Sequence, residues 1–165
     1  MYRIGHHDRR IPRKQWINYN RGTYFITICL DFFQPYFAEI HKRQVHLSTY
    51  GHIANRCWLE IPQHFVGTSI DTYIIMPDHV HGIIKLPNVA PTQNDRSKAL
   101  LCKMIHGFKS SVTRQIHHQC PQTNFRWQRS FYDRLIHSYR QLSDTRKYII
   151  NNPAKERIRA AVIKE

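Results

Sequence analysis

The chain has no run of apolar residues long enough to cross a bilayer, which takes about 20, so no membrane-spanning helix is expected. Its N-terminus also lacks an apolar h-region, so no secretory leader is expected. Both absences predict a cytoplasmic protein without a membrane partner. Cysteine is sparse: Cys29, Cys57, Cys102 and Cys120 lie far apart, and no pair has the Cys-x-x-Cys spacing of a zinc site. A disulfide framework is not expected in a cytosolic chain of this size. Internal repeats and low-complexity segments are missing too. The scarcity with the largest consequence is in acidic residues. There are 11 Asp and Glu against 25 Lys and Arg, a formal net charge of +14 over 165 residues. Such an excess, with Tyr, Trp and Phe interleaved among the cations, suits a polyanionic partner with unpaired bases to stack on.

What is present reads as one domain, residues 22–165, behind a basic arm, residues 1–21. The arm carries Arg10, Arg13 and Lys14 among other cations. It is either a solvated tail or a segment laid on a phosphate backbone. Thr23 to Leu30 is β-branched and aromatic on both faces and predicts a central strand. Phe37–Ile40 and Val45–Leu47 flank a short turn and predict a hairpin. Ser48 or Thr49 caps a helix running to about Ile61, with Ile53, Ala54, Cys57 and Ile61 as its buried stripe and Pro62 as its end. Ser69–Met76 and His79–Leu86 predict two more strands, and 87–96 a loop. From Ser97 to about His118, Leu101, Met104, Ile105, Phe108, Val112 and Ile116 recur at helical spacing, with Lys103, Lys109 and Arg114 off that stripe. Phe125 to Ile136 mixes aromatics with arginines, and its second half predicts a strand. Ser138 and Gln141 then fit a capping box opening a last helix that stops before Pro153.

The order β-α-β-β-α-β plus one helix predicts an α+β fold: a ferredoxin-like antiparallel sheet with helices on one face and a C-terminal helix carrying Tyr148.

Two histidines stand out. His79 and His81 are separated by one residue on a predicted strand, so they share a face while Val80 points the other way. Two imidazoles side by side make a bidentate metal site. Asp78, next to them, is placed to orient a ring or to shape the turn. In the last helix Tyr148 and Asn152 are four apart and share a face. An amide oxygen at Asn152 can complete a metal site begun by the histidines, with Tyr148 beside it. A phenol attacks a phosphodiester when a divalent cation withdraws charge from the phosphate and fixes the in-line geometry.

These residues resemble a known family. Pro77-Asp78-His79-Val80-His81 is similar to the His-hydrophobic-His motif of HUH-superfamily endonucleases. Tyr148-Ile149-Ile150-Asn151-Asn152-Pro153-Ala154-Lys155 resembles the Tyr-x-x-x-Asn-Pro-x-Lys segment of REP-associated tyrosine transposases, single-tyrosine enzymes of the insertion-sequence type. Gly107–Ser110 and Trp127–Asp133 also resemble stretches of that family, and the ordered set spans about Gly22 to Lys155. The resemblance implies a single-stranded DNA transesterase. His79, His81 and Asn152 would hold Mg2+ or Mn2+. Tyr148 would be the nucleophile, forming a 5′-phosphotyrosine link and freeing a 3′-OH that later rejoins strands. The implied substrate is single-stranded DNA bearing a hairpin, from a palindromic repeat or a transposon end. It would be contacted by Arg10, Arg13, Lys14, Lys109, Arg126, Trp127 and Arg129. The resemblance further implies a nucleoid-associated monomer, with a helix-swapped homodimer as the alternative. Two other functions use the same features: a noncatalytic nucleic-acid-binding module on the same sheet, and a nicking enzyme of the relaxase or replication-initiator type.

Overall fold

The structure, a computed structural model, describes residues 18–31, 34–88 and 99–154. Its framework is a four-stranded antiparallel sheet in the order β4-β5-β1-β6, built from β1 (Gly22–Cys29), β4 (Ser69–Ile75), β5 (His79–Leu86) and β6 (Tyr132–Ile136). Numbered within the sheet, this is the ferredoxin-like order, in which each helical crossover returns to a non-adjacent strand. β1 is central, as its two-sided apolar sequence predicts. β2 (Ala38–His41) and β3 (Gln44–Leu47) form a separate hairpin. Its turn residues Lys42 and Arg43 both have positive φ, 49° and 69°, the backbone that matches the twist of a two-residue hairpin loop.

The two faces of the sheet differ in kind. Tyr24, Ile26 and Ile28 of β1 and Val80 and Ile84 of β5 are fully buried on one face. Against it pack α1 (Thr49–Leu59) and α3 (Leu100–Gln119). The predicted stripe of α3, Leu101 to Ile116, is buried without exception, and so are Ile53, Ala54, Cys57 and Ile61. Gly82 of β5 faces this layer, and a methyl group there would run into the Trp58 indole, which lies directly on the strand. Phe37, Phe125 and Trp127 close the end of the core near the last residues of β1, with ring centroids 5.3 to 5.6 Å apart.

The boundaries correct the sequence reading in three places. Ser48 caps α1 through its hydroxyl, but Pro62 does not end the helix. α1 stops at Leu59, and Pro62 sits in the first turn of a short helix, α2 (Ile61–His64), where its missing N–H costs nothing. Leu100 rather than Ser97 begins α3, because Leu100 N is held by the Asn20 side chain and Ala99 is extended. Finally, α4 (Tyr139–Ile150) ends before Asn152, which lies in a separate helical turn, 152–154. Its start matches: Ser138 Oγ accepts from Gln141 N at 3.2 Å, while Gln141 Oε1 accepts from His137 N, one residue before the expected partner.

α4 does not join the other helices. It packs across β4 on the opposite face of the sheet, burying Thr145 and Ile149. The arm with Arg10, Arg13 and Lys14 lies outside the described residues.

Candidate active site

The antiparallel register sets the site. Cys29 pairs with His79, Thr27 with His81 and Phe25 with Ile83, so these six side chains share the face beneath α4. The two imidazoles stand 4.4 Å apart, centroid to centroid, at 70°. His81 is 6% exposed. Its Nδ1 is 2.8 Å from Thr27 Oγ1, and His79 Nδ1 is 2.6 Å from Asp78 Oδ1. Each ring is therefore oriented through Nδ1, and Nε2 is the nitrogen suited to a metal. Asp78 is itself fixed, because Leu30 N donates to its carbonyl and Phe37 N donates to that of Pro77. The tight break before β5 thus aims the first histidine.

Tyr148 projects from α4 onto this pair. Its ring lies 5.5 Å from that of His81 and 5.8 Å from that of Phe25, the second an edge contact at 87°. It is 38% exposed. The structure thus brings His79, His81 and Tyr148 together. Asn152 is 4% exposed and continues the buried side of α4 formed by Thr145 and Ile149. Among the described residues no three His, Cys, Asp or Glu side chains converge as a metal cage. Cys29 adds no anion to this face. Burial, and then the neighbouring Asp78 carboxylate, push its thiol up to about 12 against a smaller opposing effect of Lys109.

Two arginine contacts that sequence reading did not anticipate hold α4. Arg146 reaches from α4 to the β4 edge and donates to both oxygens of Asp71, at 2.8 and 2.7 Å, and Lys85 Nζ adds a third contact at 2.7 Å. Hydrogen bonds from Arg146, then from Lys85 and Thr72, hold the Asp71 carboxyl far below the usual carboxylate range despite its burial. From the other edge, Arg134 of β6 reaches inward and donates to Thr145 Oγ1 at 3.0 Å. Arg146, reaching out from the helix to the β4 edge, and Arg134, reaching in from β6, thus tie α4 to both sides of the sheet. No spacing rule signals Asp71 and Arg146, which are 75 residues apart.

The candidate DNA contacts separate into two kinds. Arg126 and Arg129 are exposed. They lie beside the histidine end of the sheet, because Asp31 N donates to Arg126 O and Gln128 N to Cys29 O. Lys109 and Trp127 are instead tied inward. Lys109 Nζ donates to the carbonyls of Gln128 and Arg129, and Trp127 Nε1 donates to Lys109 O. The Trp127 ring packs on Phe37, Phe108 and Phe125. Composition cannot separate an exposed aromatic from one that closes a core.

Comparison with known proteins fits this arrangement. The family described as Transposase IS200 like matches residues 60–152, which include β5, α3 and α4. The chain belongs to the IS200-like transposase family. An uncharacterized protein of Haemophilus influenzae is 32% identical over 166 residues, 92% of each chain. A second Haemophilus influenzae protein, whose name assigns it to the REP-associated tyrosine transposases, is 28% identical over 152 residues, 84% of this chain and 76% of that one. Two solved structures share the fold. One, a REP-associated tyrosine transposase bound to a REP hairpin, superposes with a TM-score of 0.60 at 22% identity, over 90% of this chain and 74% of that chain. The other, a proposed transposase of Deinococcus radiodurans, gives 0.50 at 14% identity, over 79% and 90%. The α+β sheet and the family expected from the motifs are therefore found. Among the described residues no helix is long and apolar enough to cross a membrane.

Proposed function

We propose that this IS200-like transposase cleaves and rejoins hairpin-bearing single-stranded DNA, with Tyr148 as nucleophile and a divalent cation at His79 and His81. The observation that carries the reading is the Tyr148 ring 5.5 Å from His81, on a helix tied over the two oriented imidazoles. The donor set fits a cation. Asp78 and Thr27 fix ring orientation as groups behind metal-ligating histidines do, and Asn152 offers a neutral amide oxygen as third ligand. Mg2+ or Mn2+ in that position would withdraw charge from a phosphate oxygen.

The chain's own residues do the rest. Tyr148 Oη attacks phosphorus, forming the 5′-phosphotyrosine bond as the P–O bond to the departing 3′-oxygen breaks; the phenolic proton passes to solvent and the 3′-oxygen leaves as a hydroxyl. A 3′-OH then displaces the tyrosine in the reverse sense, so strands rejoin without a nucleotide cofactor. Exposed Arg126 and Arg129 hold the phosphodiester backbone next to the histidines. The shared fold with a hairpin-bound transposase supports a hairpin as the feature recognised. The test is a labelled single-stranded hairpin incubated with the protein and Mn2+. Wild type is expected to form a denaturant-stable adduct and Tyr148→Phe none. An equal yield from Tyr148→Phe removes the nucleophile assignment.

A further inference from the structure

The face beneath α4 holds a cleft that the chemistry above does not use. It is open to solvent, has a volume of about 260 Å³, and is lined by Phe25, Thr27, Tyr132, Asp133, Arg134 and Tyr148. Tyr148 forms one wall, so whatever fills the cleft lies against the nucleophile. The register fixes its direction from the histidines. Tyr132 of the edge strand β6 is opposite Thr27, and Thr27 is opposite His81. The three form one row across the sheet, with steps of about 4.8 Å between strands. The cleft is therefore the next station along a strand whose phosphate sits between His81 and Tyr148.

Its walls are of a particular chemistry. Tyr132 is 48% exposed, so part of a large aromatic side chain lies open on the cleft wall. Phe25 forms an apolar floor, and the Arg134 guanidinium lies over it, 5.5 Å from the ring centroid. Asp133 is also among the lining residues, and Arg134 is held by Thr145, so the cleft offers an aromatic face and an apolar floor bordered by polar groups of both signs, which suits a flat ligand with two apolar faces and polar edges. An unpaired nucleotide has that form.

We propose that this cleft is a subsite for the unpaired base of one nucleotide flanking the scissile phosphate, with Tyr132 as the ring it stacks on. The assignment rests on the transesterase reading above. Stacking on one ring discriminates by degree rather than absolutely, because every base has a π-face. The subsite therefore sets a graded preference at one position next to the cut.

The experiment uses the full chain, Mn2+ and a pool of single-stranded hairpin oligonucleotides randomised on either side of the cleavage point. Covalent adducts are isolated and sequenced. Wild type is expected to enrich a subset of bases at one flanking position. Tyr132→Ala should flatten that preference and lower adduct formation on the enriched sequence about tenfold, the worth of one base–aromatic stack. Tyr132→Phe should restore both. An unchanged preference and rate in Tyr132→Ala overturn the subsite, and so does a uniform loss of rate with the preference intact. No wild-type adduct on any member of the pool refutes the transesterase reading itself, and this use of the cleft falls with it.

Discussion

Replacing Asp71 by Asn tests how the tyrosine is held in place. The Asp71 side chain is 8% exposed and accepts from Arg146 twice and from Lys85 once. Asn has nearly the same shape, so the change removes charge and one acceptor without opening a cavity. Hydrogen bonds to charged groups contribute about 1.5–3 kcal/mol each where both partners are buried. Here the cations are 35% and 40% exposed and can turn to water, so most of that worth is screened. A net cost of roughly 2 kcal/mol follows, a fall in melting temperature of about 4–8 °C for a chain of this size. Activity should fall further than stability. A reacting atom misplaced by about 1 Å can cost on the order of 100-fold, so adduct formation at a temperature where the variant is fully folded should drop at least tenfold. Acid supplies a second readout. The Asp71 carboxyl is depressed in the folded chain, so its contribution is complete above the ordinary carboxylate value and declines as pH falls below about 4 toward the folded value. The Asn variant lacks that increment of acid sensitivity. This role of the Asp71–Arg146 pair is refuted if Asp71→Asn melts and forms adduct like wild type, or if Asp71→Asn and Arg146→Leu combine additively instead of the double variant matching the worse single one.

Other perturbations separate the site from the scaffold. Gly82→Ala should destabilise by about 1–3 kcal/mol, measured by urea unfolding, because the new methyl meets the Trp58 indole and neither strand nor ring can yield freely. Trp127→Ala should cost about 2–3 kcal/mol, below the usual cost of truncating a fully buried aromatic because the ring is partly exposed. Arg126→Ala and Arg129→Ala should leave melting within about 0.5 kcal/mol of wild type but each reduce the salt slope of single-strand binding by about 0.7, read from affinities at several salt concentrations. Thr27→Val removes the hydroxyl at His81 Nδ1 and should raise the Mn2+ concentration needed for half-maximal adduct by about 10–100-fold, while EDTA should stop the reaction in wild type.

The elements legible in the sequence are those governed by local periodicity. The two-residue period of β5 places His79 and His81 on one face. The 3.6-residue period of α3 lists its buried stripe, and Ser138 marks the start of α4. The order of these elements is enough to give the sheet. The elements missed depend on contacts far apart in the chain. Nothing near Asp71 signals that Arg146 will reach it, and nothing in the composition of Phe125–Arg129 says that Trp127 turns inward while its arginine neighbours turn out. Pro62 reads equally well as the end of one helix or the start of the next, and a short second helix decides it. The placement of α4 on the far face follows from which side of β1 carries Phe25 and Thr27, and a strand apolar on both sides does not reveal that.

The two-sided sheet separates survival of the fold from survival of the chemistry. The core that holds the chain together lies between the sheet and α1 and α3, whereas the phenol of Tyr148 is partly exposed on the other side. Loss of that single hydroxyl leaves the core and the exposed Arg126 and Arg129 intact. Under the proposed function, a copy lacking the Tyr148 hydroxyl should stay folded, retain its cationic surface and compete for the single-stranded sites that an active copy would cut. Titrating Tyr148→Phe protein into a wild-type reaction should suppress adduct formation in proportion to its share of the total.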